Sequence, residues 1–414
     1  MASSSDITTR GFAALMVTVF INALNDNFFR LVFIFLAIRV YVTDGSGTFY
    51  YSLVGFIFLL PFVLFSPYAG YVGDRYSKKA VIVSTRLAEA GILIIAAVML
   101  VLNNMTGLFI ALFLMGLQST FFSPVKFGIL PEILREEELS RANGHMQMWT
   151  FLAIILGTAL AGFIMEWAGD ALWVPAVVIV LFSILGLVSS LFVTPTEAEG
   201  DTAPFRLNAF ADVKAAIGEI RHFRVLFLVV MGIAWFWALG TLYQLNVPLF
   251  AELQLQVGEM RTGIILTILA VGIGVGSIVA GHLAGERIEM RHVPAGMIAM
   301  GVFSFLMLFA VGSYAATLVL SFMLGVAAGF FIVPISAYLQ NESPAKRRAR
   351  FIAASNFLAF SAMLVAPLLF WVLTGPLGAA PSHIFVLSGL ASIGVGVYTI
   401  HLFSACRHSP SSRR

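Results

Sequence analysis

The sequence predicts an all-α membrane protein with twelve transmembrane helices in two pseudo-symmetric halves of six. Three observations carry this: an apolar composition that no water-soluble fold hides, a regular succession of apolar segments of spanning length, and motifs that recur at one offset. Of the 414 residues, 60% are apolar and 11% charged, with a mean hydropathy of +0.96. Soluble domains run near half apolar and a quarter charged. A helix needs roughly 20 residues to cross a hydrocarbon core of about 30 Å, which leaves room here for about twelve spans. Helices are expected and not a barrel, because residues 90–102 and 172–193 are apolar on every face, whereas barrel strands alternate.

Apolar segments separated by turn or charge clusters fall at 11–41, 50–72, 80–102, 106–127, 144–168, 172–194, 224–250, 262–284, 293–313, 315–340, 351–373 and 384–405. The first is too long for a secretory signal and carries Asp26 and Arg30 at its centre, so it reads as a retained span. The single cysteine, Cys406, allows neither a disulfide framework nor a thiolate metal cluster. The net charge of +3 is explained by where Lys and Arg fall, not by a nucleic-acid partner. Connections 42–49, 103–106, 166–170, 252–261, 312–315 and 374–383 hold one basic residue, Arg261. The opposite set holds Arg75, Lys78, Lys79, Arg135, Arg141, Arg206, Lys214, Arg221, Arg287, Arg291, Lys346, Arg347, Arg348 and Arg350. The positive-inside rule therefore places both termini in the cytoplasm.

The longest connection begins as a polar linker and continues, from Asn208 to Ile220, with a pattern suited to an interfacial amphipathic helix. It sets the expected organisation: a first bundle over 1–194, a cytoplasmic linker over 195–223, and a second bundle over 224–414 with a short cytoplasmic tail. Internal repetition supports the division. Gly70-Tyr-Val-Gly-Asp74-Arg75 follows span two, and Gly281-His-Leu-Ala-Gly285-Glu286-Arg287 follows span eight. Phe121-Phe122-Ser-Pro124 closes span four, and Phe330-Phe331-Ile-Val-Pro334 lies in span ten. Both pairs are offset by about 210 residues, as a parallel duplication requires.

The Gly70 to Lys79 segment resembles the signature cytoplasmic loop of the major facilitator superfamily, a Gly-x-x-x-Asp-Arg-x-x-x-Lys sequence between spans two and three. Glycine there allows close helix approach, an acid at a helix end can meet a neighbouring terminus, and basic residues can be held between helices and headgroups. Gly70, Asp74, Arg75, Lys78 and Lys79 are thus expected to form a conformational latch, with Glu286 and Arg287 as its reduced second copy. A plain positive-inside loop is the alternative.

The most informative segment is Asn22-Ala-Leu-Asn25-Asp26-Asn27-Phe-Phe-Arg30. Burying a charge at bilayer depth costs about 2.5 to 3.5 kcal/mol on insertion scales, so these groups should face a cavity or one another. Asp26 and Arg30 stand at i,i+4, close enough to pair along the helix. A structural ion pair does not require Asn22, Asn25 and Asn27 around it; together they form a polar lining for a cavity. Lys126, at the end of span four, either binds phosphate as a point charge or snorkels to the interface. Arg86 and Glu89, one turn apart in span three, read as an internal structural pair. Gln118, Asn143, Gln147, Gln244, Asn246, Gln340 and Asn356 read first as interhelix hydrogen-bonding amides and second as cavity lining. Gly272-Ile-Gly274-Val-Gly276 follows no strand and reads as helix packing. No Walker sequence and no His spacing for a metal occurs, so no cofactor or metal and no enzymatic activity is expected.

Asn25-Asp26-Asn27-Phe28, the run from Phe122 through Ser123-Pro124-Val125-Lys126 to Leu130, and Asn143-Gly144 are similar to the bacterial lysophospholipid transporter (LplT) family, a branch of the same superfamily. Asp26 to Arg30 and Gly116 to Phe122 resemble in particular the form fused ahead of an acyltransferase and acyl-ACP synthetase. The resemblance continues through Gln244-Leu-Asn246-Val-Pro248 and Gly329 to Pro334, and so runs the length of the transporter. It implies transport of lysophospholipids, such as lysophosphatidylethanolamine, to the inner leaflet of the inner membrane for reacylation, by alternating access. The chain departs from the fused form by ending at Arg414 with no acyltransferase domain, so either the enzyme is a separate polypeptide or this is a stand-alone relative whose substrate has drifted. Such a cargo presents a phosphate, often an amine, and one acyl chain. Arg30 and Lys126 would hold the phosphate, Asp26 the amine, with Asn22, Asn25, Asn27 and Gln118 lining the site. Phe28, Phe29, Phe121 and Phe122 would meet the chain, pack helices or face lipid. Two other functions compete on the residues alone: a proton-coupled carrier of a small soluble solute, with Asp26 as proton carrier, and a non-transporting membrane partner of an acyltransferase.

Overall fold

Long apolar stretches with few charges to interrupt them become long helices, since in hydrocarbon every backbone polar group must be satisfied within its own segment. The computed structural model describes residues 10–42, 47–197, 209–284, 292–344 and 347–407. The chain divides into two compact units, Met1–Ala215 and Ala216–Arg414. The first holds α1 (Arg10–Ala37, prolonged by a π turn over Ile38–Val42), α2 (Gly47–Arg75), α3 (Lys78–Val101), α4 (Met105–Gly128), the single turn α5 (Leu130–Ile133), α6 (Glu136–Ala168) and α7 (Trp173–Leu191). A short helix, α8 (Ala209–Ile220), crosses the boundary. The second unit holds α9 (Arg224–Phe250, with a π turn over Ala251–Leu255), α10 (Glu259–Ala284), α11 (His292–Leu306), α12 (Tyr314–Glu342), α13 (Arg348–Thr374) and α14 (Pro381–Arg407). Among the described residues, 12 segments are long and apolar enough to cross a membrane, at the positions the hydropathy pattern predicts.

Local chemistry fixes the ends. Ser77, Asn104 and Ser313 cap α3, α4 and α12 by accepting from the backbone N–H of Ala80, Gly107 and Ala316. Gly169 closes α6 with φ +55°, a conformation glycine adopts without a Cβ clash. The difference from expectation lies at the start of α6, which begins at Glu136 and not at residue 144. Glu136, Glu137 and Glu138 are good helix formers at the positive end of the helix dipole, so the helix extends beyond its apolar part.

Helix contacts inside each unit are set by small residues. In the second unit, a Cβ on Gly276 of α10 would stand 2.1 Å from the carbonyl oxygen of Val326 on α12, and one on Gly329 of α12 would stand 2.4 Å from Ser277 N. Gly274, between Gly272 and Gly276, has nothing within 4 Å. The glycine run is therefore a packing surface in which Gly272 and Gly276 make the approach. In the first unit, α1 and α6 run parallel, through Phe20 with Trp149, Leu24 with Gly157, and Arg39 with Met165 and Gly169.

Candidate functional site

The polar segment of α1 meets α3 and α4 in a closed ring of hydrogen bonds. Asp26 Oδ2 accepts from Asn22 Nδ2 at 3.1 Å, one turn back on α1, and from Ser119 Oγ of α4 at 2.8 Å. Ser119 Oγ accepts from Gln118 Nε2 at 2.9 Å, and Gln118 Oε1 accepts from Arg86 Nη2 of α3 at 2.8 Å. Arg86 forms an ion pair with Glu89. Glu89 Oε1 accepts from Asn25 Nδ2 at 3.4 Å, which returns the path to α1 one residue from where it began. Asn25, Arg86, Glu89, Gln118 and Ser119 are all buried, and the Arg86 guanidinium lies 4.2 Å from the ring centroid of Phe122. Charges taken from water persist only when paired and hydrogen-bonded, and the ring supplies both.

The ring leaves atoms over: among the described residues Asn25 Oδ1, Asp26 Oδ1 and Arg86 Nε are buried without a hydrogen-bond partner. Lys126 is half-buried at the end of α4 and stands 5.1 Å from the ring centroid of Phe127; among the described residues it makes no hydrogen bond or ion pair. Its charge acts on Asp26 together with those of Arg86 and Arg30.

The i,i+4 pair expected between Asp26 and Arg30 is not formed. Asp26 is taken by Asn22 and Ser119, while Arg30 Nη2 donates to Asn27 Oδ1 at 2.8 Å and its guanidinium lies 5.2 Å from the Phe58 ring centroid. Asn27 Nδ2 in turn donates to its own helix at Ala23 O, 2.7 Å away. The physical reason is competition: Ser119 reaches Asp26 from a neighbouring helix, and an amide three residues back suits the long Arg side chain. Arg30 is therefore a half-buried cation with a neutral partner and an aromatic face, and no carboxylate.

Of the other candidates, Arg86 and Glu89 do pair, but as part of the Asp26 ring and not apart from it. Gln118 bridges α3 and α4 through Arg86, and Asn246 donates to Pro381 O at 3.0 Å. Asn143 bonds only its own helix, at Leu139 O. Phe28, Phe29 and Phe122 are buried in the helix packing, Phe28 edge-on to Phe182, so they face neither lipid nor an open wall. Ser119 was not signalled by sequence, because span hydroxyls usually bond their own helix, as Thr120 does to Gly116 O.

At the expected latch, Lys78 forms an ion pair with Glu132 at the end of α4 and α5. Lys79 N donates to Thr196 Oγ1 at 3.1 Å, and Arg75 is exposed at the end of α2. The close helix approach belongs to Gly73, whose Cβ would stand 3.2 Å from Val125 of α4, and not to Gly70, which has nothing within 4 Å. Asp74 lies in the last turn of α2; Gly285, Glu286 and Arg287 lie outside the described residues.

A family model described as the Major Facilitator Superfamily matches residues 15–367. The lysophospholipid transporter LplT of Photorhabdus laumondii is 28% identical over 341 residues, covering 81% of each chain. LplT of Salmonella typhimurium is 28% identical over 372 residues, covering 88% of each. Among solved structures, the nucleoside transporter NupG superposes with a TM-score of 0.70 at 13% identity, covering 94% of this chain and 99% of its own. A POT family transporter superposes at 0.65 and 15% identity, covering 97% of each chain. These structures share the fold. Twelve spanning helices in two compact units, with a family match over most of the length, place the chain in the Major Facilitator Superfamily.

Proposed function

We propose that this protein transports lysophospholipids across the bacterial inner membrane, delivering them to the inner leaflet for reacylation by a separate acyltransferase. The observation that carries this is the state of three charged groups in the first unit. Among the described residues Arg30 and Lys126 have no carboxylate partner, while Asp26 keeps one buried oxygen without a donor. α1 and α4 run antiparallel through Asp26–Ser119 and Phe33–Phe109, so Arg30 and Lys126 flank Asp26 from opposite sides; a zwitterionic headgroup would place its ammonium on Asp26 Oδ1 and its phosphate on one of the two cations. Asn22 and Ser119 hold the other carboxylate oxygen, which aims Oδ1 and fixes its side chain. The 28%-identical relatives named as lysophospholipid transporters favour the same cargo.

The cycle we infer is alternating access, with both termini cytoplasmic by the distribution of Lys and Arg. Gly70, Asp74, Arg75, Lys78, Lys79, Glu286 and Arg287 would form the cytoplasmic latch; the Lys78–Glu132 pair ties that loop to α5. The test is uptake of labelled lysophosphatidylethanolamine into vesicles containing the wild type or Arg30→Ala. Uptake by the wild type and its loss in the variant are expected. No uptake by the wild type overturns the cargo, and unchanged uptake by Arg30→Ala overturns the headgroup site.

A further inference from the structure

Beside the headgroup residues the first unit contains an apolar groove of about 350 Å³, lined by Phe12, Met16, Val17 and Phe20 of α1 and by His145 and Trp149 of α6. Its origin is visible in the helix pair. α6 approaches α1 closely at Gly157, where a Cβ would stand 2.5 Å from Leu24 O. Two turns toward the N-terminal ends the bulky Trp149 meets Phe20 edge-on, with ring centroids 5.6 Å apart. Small against small brings the helices together, large against large holds them apart, and the space between their N-terminal ends stays open.

The groove and the headgroup residues share one face of α1. Phe12, Met16, Phe20, Ala23, Asn27 and Arg30 follow one another at spacings of three or four residues on an unbroken helix, so their side chains form one stripe. The stripe is apolar over its first four members and polar over its last two. A hydrocarbon core of about 30 Å accommodates two leaflets, so one acyl chain extends about 15 Å, the rise of about ten helical residues. Ten residues below Asn27 is Val17, inside the groove. His145 is half-buried there and makes no hydrogen bond among the described residues.

We propose that this α1–α6 groove binds the single acyl chain of the lysophospholipid whose headgroup sits at Arg30 and Asn27. The groove is open: Val17 and Trp149 are 47% and 36% exposed. Its volume falls at the low end of the roughly 300–1,000 Å³ of ligand pockets, a size suited to one chain. This rests on the lysophospholipid cargo proposed above.

The experiment uses the full-length protein in vesicles and lysophosphatidylethanolamine carrying a photoreactive group at the chain terminus. Cross-linked peptides are mapped by mass spectrometry, and uptake of the same lipid is measured in parallel. Cross-links within residues 12–20 and 145–149 are expected, reduced at least tenfold in Val17→Trp, which fills the groove. Ala13→Trp, at another lining position, gives a second blocked variant should the first fail to fold. Wild-type uptake without cross-links in the groove overturns this inference alone. Neither uptake nor groove cross-links overturns the cargo as well, whereas groove cross-links without uptake keep the chain site and overturn transport. A diacyl phospholipid with the same photoreactive group that labels the groove equally well makes it an ordinary lipid contact and overturns the inference.

Discussion

Replacing Arg86 with Met tests whether the polar ring is a structural lock or a loose set of contacts. Arg86 is fully buried, pairs with Glu89, donates to Gln118 Oε1 at 2.8 Å and covers Phe122 at 4.2 Å. Met fills much of the same volume and supplies none of these. Breaking a buried ion pair from one side costs about 3–5 kcal/mol, because the remaining charge stays buried without its partner. Loss of the guanidinium over the ring adds up to about 2 kcal/mol. Glu89 would retain only Asn25, at 3.4 Å, too long a bond to compensate. Arg86→Met should therefore destabilise the first unit by about 5 kcal/mol. Removing both charges in Arg86→Met/Glu89→Leu should restore most of the loss, since a buried pair and a well-packed apolar pair are often close in stability. The assay is denaturant unfolding in mild detergent. Trp235, Trp237 and Trp371 are changed to Phe, so that fluorescence reports on the first unit through Trp149, Trp167 and Trp173. A single-variant loss below about 1 kcal/mol, or single effects that sum to the double within about 0.5 kcal/mol, would refute the lock.

Three further outcomes follow from named contacts. Lys126→Ala should lower the rate constant of lysophospholipid uptake at low substrate by about 10- to 100-fold, the equivalent of one charge-assisted hydrogen bond of about 1.5–3 kcal/mol; initial uptake rates in vesicles measure it, and an unchanged rate removes Lys126 from the headgroup site. Ser119→Ala leaves Asp26 Oδ2 with Asn22 alone and should destabilise by about 1–3 kcal/mol; Ser119→Thr, which keeps the hydroxyl, should restore uptake where Ala does not. Gly276→Leu drives a side chain into Val326 O, 2.1 Å from its Cβ, and should lower thermal stability in detergent by at least about 1–3 kcal/mol, whereas Gly274→Ala should leave the melting temperature unchanged or raised.

The spans were legible because hydrophobicity over about 20 residues is a one-dimensional property that tertiary contacts do not overturn. The polar site was legible in part. Asn22, Asp26 and Arg30 stand out against an apolar helix, and Arg86 and Glu89 stand out for the same reason in theirs. What sequence spacing does not state is which helices are neighbours. Asp26 and Arg30 satisfy the i,i+4 rule, yet Ser119, a residue without a signal of its own, takes Asp26 from α4 and leaves Arg30 to Asn27. The pairing rule gives what one helix can do alone; packing decided what it does.

The second unit shows the same physics with a different result. Tyr243, Ser304 and Ser388 join α9, α11 and α14 through buried hydroxyl bonds of 2.9 to 3.2 Å, and Ser304 donates onward to Phe385 O at 2.8 Å. Every group there is neutral and each hydroxyl has a partner, so the cluster is satisfied by the protein itself and has nothing left to offer a ligand. The first unit instead holds a ring of paired charges with a charged remainder among the described residues: a carboxylate oxygen without a donor and two cations without a carboxylate. A protein that needed polar bonds only to hold helices together would have no use for that remainder, since each unpaired charge at this depth costs several kcal/mol on the order of the insertion scales. The buried atoms without a partner in the second unit, Trp235 Nε1, Asn246 Oδ1, Thr267 Oγ1 and Ser355 Oγ, are all neutral, so it is the charged remainder that distinguishes the first unit, and the cargo proposed above would supply its partners.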